Sequence, residues 1–184
     1  MRIIGGAKKG LLIQAPNNLP VRPTTDRSKE SLFNILQHSI AIEGIEALDL
    51  FTGTGNISYE LASRGAALVL SIDKDFGCVK FVKESAQKLG LPQIQVRKQD
   101  VFTALKNMNQ SFDLIFADPP YALADIIKIP AIVFDKKLLK SNGLLVVEHG
   151  SSLDLSQQIG FFEDRKYGQS TFSFFKPITE NNHI

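Results

Sequence analysis

The chain of 184 residues predicts an α/β fold. The expected form is Rossmann-like: a mostly parallel seven-stranded sheet with helices on both faces, an antiparallel C-terminal hairpin, and a short N-terminal β-arm followed by a helix. Three observations carry this. From residue 46 onward, apolar β-branched runs alternate with segments of helical period, the pattern of a parallel sheet covered on both sides. Two of those helical segments close on glycine, Gly65 and Gly90, the residue that most readily takes the left-handed turn ending a helix. The tail "FFEDRKYGQSTFSFFK" places a glycine turn between two extended runs, the signature of a hairpin.

The elements follow in order. "RIIGG" and "GLLIQAP" are short extended pieces that could form a hairpin or arm. "RPTTDRSKESLFNILQHSI" reads as a helix, with Pro23 blocking an earlier start and Thr25 or Asp26 available as the cap. Its apolar face is Leu32, Phe33, Ile35, Leu36 and Ile40. Strands are then expected at "EALDLF", "ALVLSID", "IQVRKQD", "FDLIFAD" and "GLLVVEH", and helices at "NISYELASRG", "FGCVKFVKESAQKLG", "VFTALKN" and from about Leu123 to Phe134. In the tail, Phe172 and Phe174 alternate onto one face, as core residues of a strand at the sheet edge. A single domain is expected over 1–184, with an N-terminal arm and helix at 1–44, a catalytic core at 45–178 and a frayed tail at 179–184.

Hydrophobic residues make up 43% and charged residues 22%, the balance of an ordinary globular protein. No apolar run approaches the roughly eighteen residues that cross a bilayer. The opening "MRIIGGAKKG" lacks a signal-peptide core, so cytoplasm is the expected compartment. Cys78 is the single cysteine, which excludes a disulfide within the chain and cysteine-rich zinc sites. It falls among apolar neighbours on a helix, where packing is its expected role. His38, His149 and His183 share no metal-ligand spacing, and no metal is expected. Residues 1–30 hold six basic groups (Arg2, Lys8, Lys9, Arg22, Arg27, Lys29) against two acids (Asp26, Glu30), a local +4 in a chain of net +2. Such an arm fits a phosphate-backbone partner and equally a solvated face. Within it, Lys8 and Lys9 are candidate RNA contacts.

The first strand of the alternating region ends in "DLFTGTGNIS". Gly53 and Gly55 permit a tight turn and let a ligand approach the backbone. The dinucleotide fingerprint needs a third glycine where this chain has Ser58, and there is no Gly-Lys-Ser/Thr to make a P-loop. Acids stand at the carboxyl ends of four successive strands: Asp49, Asp73, Asp100 and Asp118. Ligands of such folds bind at those ends, and Asp73 stands about where a ribose-binding acid belongs. Converging carboxylates are costly without a cationic or donor-rich ligand. S-adenosylmethionine offers a sulfonium, an ammonium, two ribose hydroxyls and an adenine amine, and it has no pyrophosphate to need the missing glycine.

"FADPPYAL" sets Asp118, Pro119, Pro120 and Tyr121 directly after an apolar strand. The exocyclic amine of a base is a poor nucleophile because its lone pair is delocalised into the ring. Acceptors on its N–H groups orient the nitrogen, and the Asp118 side chain and Pro119 carbonyl are suitable. The diproline fixes that backbone in advance. Tyr121 can stack on the base, a contact worth roughly 1–3 kcal/mol in single-stranded recognition.

The series "RIIGG", "RPTTDRSKESLFNIL", "LDLFTGTGNIS", "SRGA", "DPPY" and "YGQSTFSFF", in that order, resembles the bacterial 16S rRNA guanine-966 N2-methyltransferase family over Arg2 to about Phe175. The resemblance implies a class I methyltransferase fold using S-adenosylmethionine on 16S rRNA in a small-subunit particle; separately, a monomer is expected. It implies a catalytic clamp of Asp118, Pro119, Pro120 and Tyr121. A cofactor pocket would be lined by Asp49, Phe51, Gly53, Gly55, Asp73, Asp100 and Val101. RNA contacts would come from Lys8, Lys9, Arg22, Thr24 and Arg27. Two departures stand out: the usual "DLFAGSG" is "DLFTGTG", and an early Arg-Gly-Arg-like segment is "KKGLL". The clamp motif alone also fits methyltransferases of DNA adenine N6 or of a protein glutamine amide.

Overall fold

A computed structural model describes residues 1–16, 19 and 26–178, with the backbone alone at 26 and 27. The chain divides into two compact units, Met1–Val101 and Phe102–Ile184.

In the first unit, helix α1 (Asp26–Ser39) precedes β1 (Glu46–Leu50), α2 (Asn56–Ser63), β2 (Leu68–Asp73), α3 (Phe76–Leu89) and β3 (Ile94–Lys98). The three strands run in the order β3-β2-β1, all parallel, with Asp49 opposite Ser71. β1 and β2 are sealed along nearly their whole length, with Ala47, Leu48, Leu50, Val69 and Ile72 fully buried. That is why both read as unbroken apolar runs. Asp75 caps α3 by accepting from the Cys78 N–H at 2.8 Å, and Gly90 ends it in the left-handed conformation. Cys78 is buried on this helix, and burial pushes its thiol up to about 12, so it packs as a neutral group.

The N-terminal arm is a docked element of this unit. Arg2 and Leu12 form an antiparallel bridge, and Ile3 and Ile13 are buried. Its backbone is tied to α2: the Ile4 N–H donates to Glu60 Oε2 at 2.9 Å, the Lys8 N–H donates to Ser63 Oγ at 2.9 Å, and Ser63 donates to the Gly5 carbonyl at 2.6 Å. Lys29, 1% exposed, reaches from α1 to the Arg2 carbonyl (2.5 Å), Asn56 Oδ1 (2.8 Å) and Glu60 Oε2 (3.5 Å). One of the six basic groups of the arm region is therefore interior and absent from the surface charge.

The second unit contains most of α4 (Val101–Asn107), followed by β4 (Phe112–Ala117), α5 (Lys128–Asp135), β5 (Leu139–Gly150), β6 (Phe161–Tyr167) and β7 (Ser170–Phe175), with strand order β4-β5-β7-β6. Three expectations change here. β5 begins earlier than "GLLVVEH", at Leu139, and shifts register against β4 between Phe112 and Leu114. The helix expected from Leu123 is divided into a 3₁₀ turn (Ala124–Ile127) and α5, because Pro130 has no N–H to return to the Ile126 carbonyl. β7 is not at the edge: it lies between β5 and β6, and Phe172, Phe174 and Phe175 are all buried.

A buried carboxylate fixes the end of β1. Asp49 is 2% exposed, and its Oδ2 accepts from Ser58 Oγ at 2.5 Å and Thr52 Oγ1 at 2.7 Å, while Ser71 Oγ lies 2.7 Å from Ser58 Oγ. Burial outweighs these hydroxyl donors and pushes the carboxyl up from 3.8 to about 6. The folded state thus holds a proton that the unfolded chain releases, and stability falls as pH rises through the window from 3.8 to about 6. Asp49→Asn keeps an acceptor and does not titrate. In urea titrations, its stability relative to the parent should rise by roughly 2–3 kcal/mol between pH 4 and pH 7. A difference that is constant with pH would mean Asp49 titrates as an ordinary carboxylate.

Candidate active site

The first unit carries the candidate ligand-binding loop. After β1 the chain turns through Phe51 (φ 60°), Gly53 (φ 54°) and Gly55 (φ 81°) into α2. A positive φ at the non-glycine Phe51 is uncommon and marks a backbone held by its surroundings. Gly55 is required twice over, since a Cβ there would stand 2.8 Å from the Tyr59 ring as well as in the left-handed region. The loop is braced from β2: the Thr52 N–H donates to the Ile72 carbonyl at 3.0 Å, and the Gly53 N–H donates to Asp73 Oδ2 at 2.8 Å. Asp73 Oδ1 accepts from the Asp75 N–H at 2.9 Å. Each carboxylate oxygen carries two lone pairs, so Asp73 keeps acceptor capacity for ligand hydroxyls.

The other expected cofactor residues of this unit divide by exposure. Asp100 is exposed beyond the end of β3, and Val101, the first residue of α4, is buried. Asp49 lies beneath the loop, where it organises the turn and does not present a carboxylate to solvent. Of the RNA candidates, Lys8 is half-buried and Lys9 exposed. Arg22 and Thr24 lie outside the described residues, as do the Arg27 side chain and His183. No group of three or more His, Cys, Asp or Glu among the described residues is placed to hold a metal ion.

The second unit supplies the Asp-Pro-Pro-Tyr turn. β4 ends at Ala117; Asp118 is half-buried, Pro119 buried and Pro120 exposed, and Tyr121 is 38% exposed. The Pro120 carbonyl accepts from the Leu123 N–H at 2.8 Å and closes the turn. The phenol of Tyr121 lies 2.6 Å from Ser170 Oγ and 3.3 Å from Glu148 Oε1. Partial burial raises its pKa, the Ser170 contact opposes this, and the nearby Glu148 and Asp118 add to the rise, so the phenol stays protonated. His149 is packed in β5. Its Nδ1 lies 2.9 Å from the Gly150 carbonyl and so carries the proton, Nε2 lies 2.8 Å from Ser173 Oγ, and burial lowers the ring's pKa. It is a neutral structural imidazole.

Sequence reasoning missed three groups of residues. Thr52, Ser58 and Ser71 hold Asp49, and small hydroxyl residues leave no periodic signal. Glu148 and Ser170 meet Tyr121, and the signal for Ser170 was its place in "YGQS". Phe76, 64% exposed just after the strand carrying Asp73, has Lys98 Nζ 5.6 Å above its ring. An exposed aromatic beside a strand-end acid was the signal there.

The family profile described as "Conserved hypothetical protein 95" matches residues 1–176. The chain is similar to "Putative rRNA methyltransferase YlbH" of Bacillus subtilis, 34% identical over 164 residues, covering 87% of this chain and 88% of the relative. It is similar to "Ribosomal RNA small subunit methyltransferase D" of Haemophilus influenzae, 34% identical over 152 residues and covering 80% and 78% of the two chains. Among solved structures, "Putative methyltransferase yhhF from Escherichia coli" aligns with a TM-score of 0.82 at 26% identity, over 95% of this chain and 96% of that one. The Thermus thermophilus 16S rRNA N2 G1207 methyltransferase, solved with AdoMet and guanosine, aligns with a TM-score of 0.69 at 22% identity. It covers 86% of this chain and 45% of that one, and it speaks for the fold alone. The fold is thus the class I methyltransferase fold. The match spans residues 1–176, and at this identity and coverage the chain belongs to the bacterial ribosomal RNA small subunit methyltransferase D family.

Proposed function

We propose that the protein methylates the exocyclic N2 amine of a guanine in 16S rRNA, with S-adenosylmethionine as donor. The observation that carries this is the Asp118-Pro119-Pro120-Tyr121 turn at the end of β4, with a buried proline, a half-buried acid and a partly exposed ring. The first unit fits the cofactor: a loop of positive-φ glycines admits a ligand to the backbone, and Asp73 and the exposed Asp100 offer acceptors for hydroxyl and amine groups. Phe51 and Val101 complete the proposed pocket, with Asp49 supporting the loop from beneath. Bound there, S-adenosylmethionine supplies an electrophilic methyl group on a sulfonium.

The residues of the chain then act on the base. Asp118 and the Pro119 carbonyl accept from the two N–H groups of N2 and turn its lone pair toward the methyl carbon. Tyr121 stacks on the flipped or single-stranded guanine. On methylation, Asp118 would take the proton shed by N2 or relay it to water. Lys8, Lys9, Arg22, Thr24 and Arg27 grip the RNA backbone. The substrate is a small-subunit assembly particle, and the protein works as a cytoplasmic monomer. Among the described residues, no helix is long and apolar enough to cross a membrane.

The direct test is transfer from labelled S-adenosylmethionine to small subunits lacking their native methylations, with the nucleoside identified by mass spectrometry. N2-methylguanine is the expected product; label in DNA adenine or a protein glutamine would redirect the same clamp to another amine. Asp118→Ala should lower turnover by roughly 10²-fold or more while leaving cofactor affinity nearly intact, as for other positions that act only in the transition state. Unchanged turnover would remove Asp118 from the mechanism. Charge reversal at both Arg22 and Arg27 should weaken RNA binding and lower the salt slope by about two. An unaltered slope would mean that neither arginine meets phosphate.

A further inference from the structure

The mechanism leaves "YGQS", residues 167–170, without a task, yet the structure brings this turn to the clamp. β7 runs antiparallel to β5, with Ser170 opposite Gly150 and Phe172 opposite Glu148. Opposed residues, and those two apart along a strand, project from the same face, so Glu148, Gly150 and Ser170 share one face of the sheet. Gly150 contributes no side chain, and the Tyr121 ring occupies that space, with Cδ2 3.4 Å from where a Gly150 Cβ would stand. On either side of this gap stand the two partners of the phenol, Ser170 Oγ at 2.6 Å and Glu148 Oε1 at 3.3 Å. The contacts form a directional chain: the phenol donates to the Glu148 carboxylate, so Ser170 donates to the phenol. Glu148 is only 5% exposed, and the turn is tied back to the end of β5 by the Ser151 N–H donating to the Gln169 carbonyl at 3.1 Å.

We infer that Ser170 and Glu148 are positioning residues of the methyl-transfer site, holding Tyr121 by its phenol so that the ring face is presented to the base. The inference rests on the reading of Tyr121 as part of a base clamp. A partly exposed tyrosine in a turn has two free side-chain torsions; hydrogen bonds at its tip remove that freedom before the substrate arrives. Both hydrogen-bonding functions of the hydroxyl are engaged, so Tyr121 acts through its face and not as an acid or base. The C-terminal hairpin is then a working part of the site as well as a cover for the sheet.

Ser170 is the residue to change, since its partly exposed hydroxyl is removed without opening the core, whereas Glu148 is buried. Methyl transfer to undermethylated small subunits is measured for the parent, Ser170→Ala, Ser170→Thr, Tyr121→Phe, Tyr121→Ala and the Ser170→Ala/Tyr121→Phe pair, with cofactor affinity measured alongside. Ser170→Ala should lower kcat/KM for the particle by about 2- to 10-fold, the worth of one hydrogen bond, with cofactor affinity unmoved. Ser170→Thr should restore most of the loss. The pair should be no worse than Tyr121→Phe alone, because both changes cut the same contact. Losses that multiply in the pair, or full activity in Ser170→Ala while Tyr121→Phe is impaired, would overturn the positioning role and leave the clamp standing. Full activity in Tyr121→Ala would overturn the clamp reading itself and this inference with it.

Discussion

The glycine loop of the first unit depends on one buried carboxylate. Asp49 stands in the interior of β1, where an ion without partners would be prohibitively costly, and the chain answers with hydroxyls from three places: Thr52 in the loop, Ser58 on α2 and, through Ser58, Ser71 on β2. Those hydrogen bonds set where the loop leaves the strand and where α2 begins. With the turn fixed from below, Phe51, Gly53 and Gly55 can hold their positive φ angles, and the Gly53 N–H can reach Asp73. The loop offers backbone to a ligand because its side-chain chemistry is turned inward.

A second polar cluster extends that order toward the N-terminal arm. The Lys29–Glu60 pair is almost wholly removed from water, and pairs of this kind are retained for arrangement more than for net stability. Glu60 holds the Ile4 N–H and, 2.7 Å away, the Arg64 guanidinium; Arg64 in turn lies 4.6 Å from the Phe33 ring centre. Lys29 ties the Arg2 carbonyl to Asn56, the first residue after the glycine loop. The arm that carries Lys8 and Lys9 and the loop proposed to hold the cofactor therefore share the same buried supports. Loss of Glu60 would remove a buried counter-charge of Lys29, at a cost of about 3–5 kcal/mol.

The second unit solves a different problem, presenting a rigid turn at the end of an apolar strand. Two prolines deny the strand further ladder bonds, one of them buried, and the Pro120 carbonyl closes the turn on Leu123. β7, between β5 and β6, brings Ser170 to Tyr121 and gives His149 its partner in Ser173. A hairpin that had simply shielded the sheet edge would need neither contact.

Local pattern by itself determined the order of strands and helices, the glycine loop, the strand-end acids and the Asp-Pro-Pro-Tyr turn. Each is written in short-range signals: β-branched runs, helix-closing glycines, and residues whose backbone limits are intrinsic. Where a neighbour in space decides the outcome, local pattern was silent. Asp49 and Asp73 look alike as strand-end acids, yet Ser58 and Ser71 make the first an interior anchor, and the Gly53 and Asp75 N–H groups make the second a brace. Lys29 counts as surface charge until Glu60 and Asn56 surround it. β7 reads as an edge strand until β6 pairs beyond it, and Ser170 reads as a turn residue until β5 sets it against Tyr121. The physical reason is common to all four: burial and hydrogen bonding are properties of pairs far apart in the chain, and only the tertiary structure brings those pairs together.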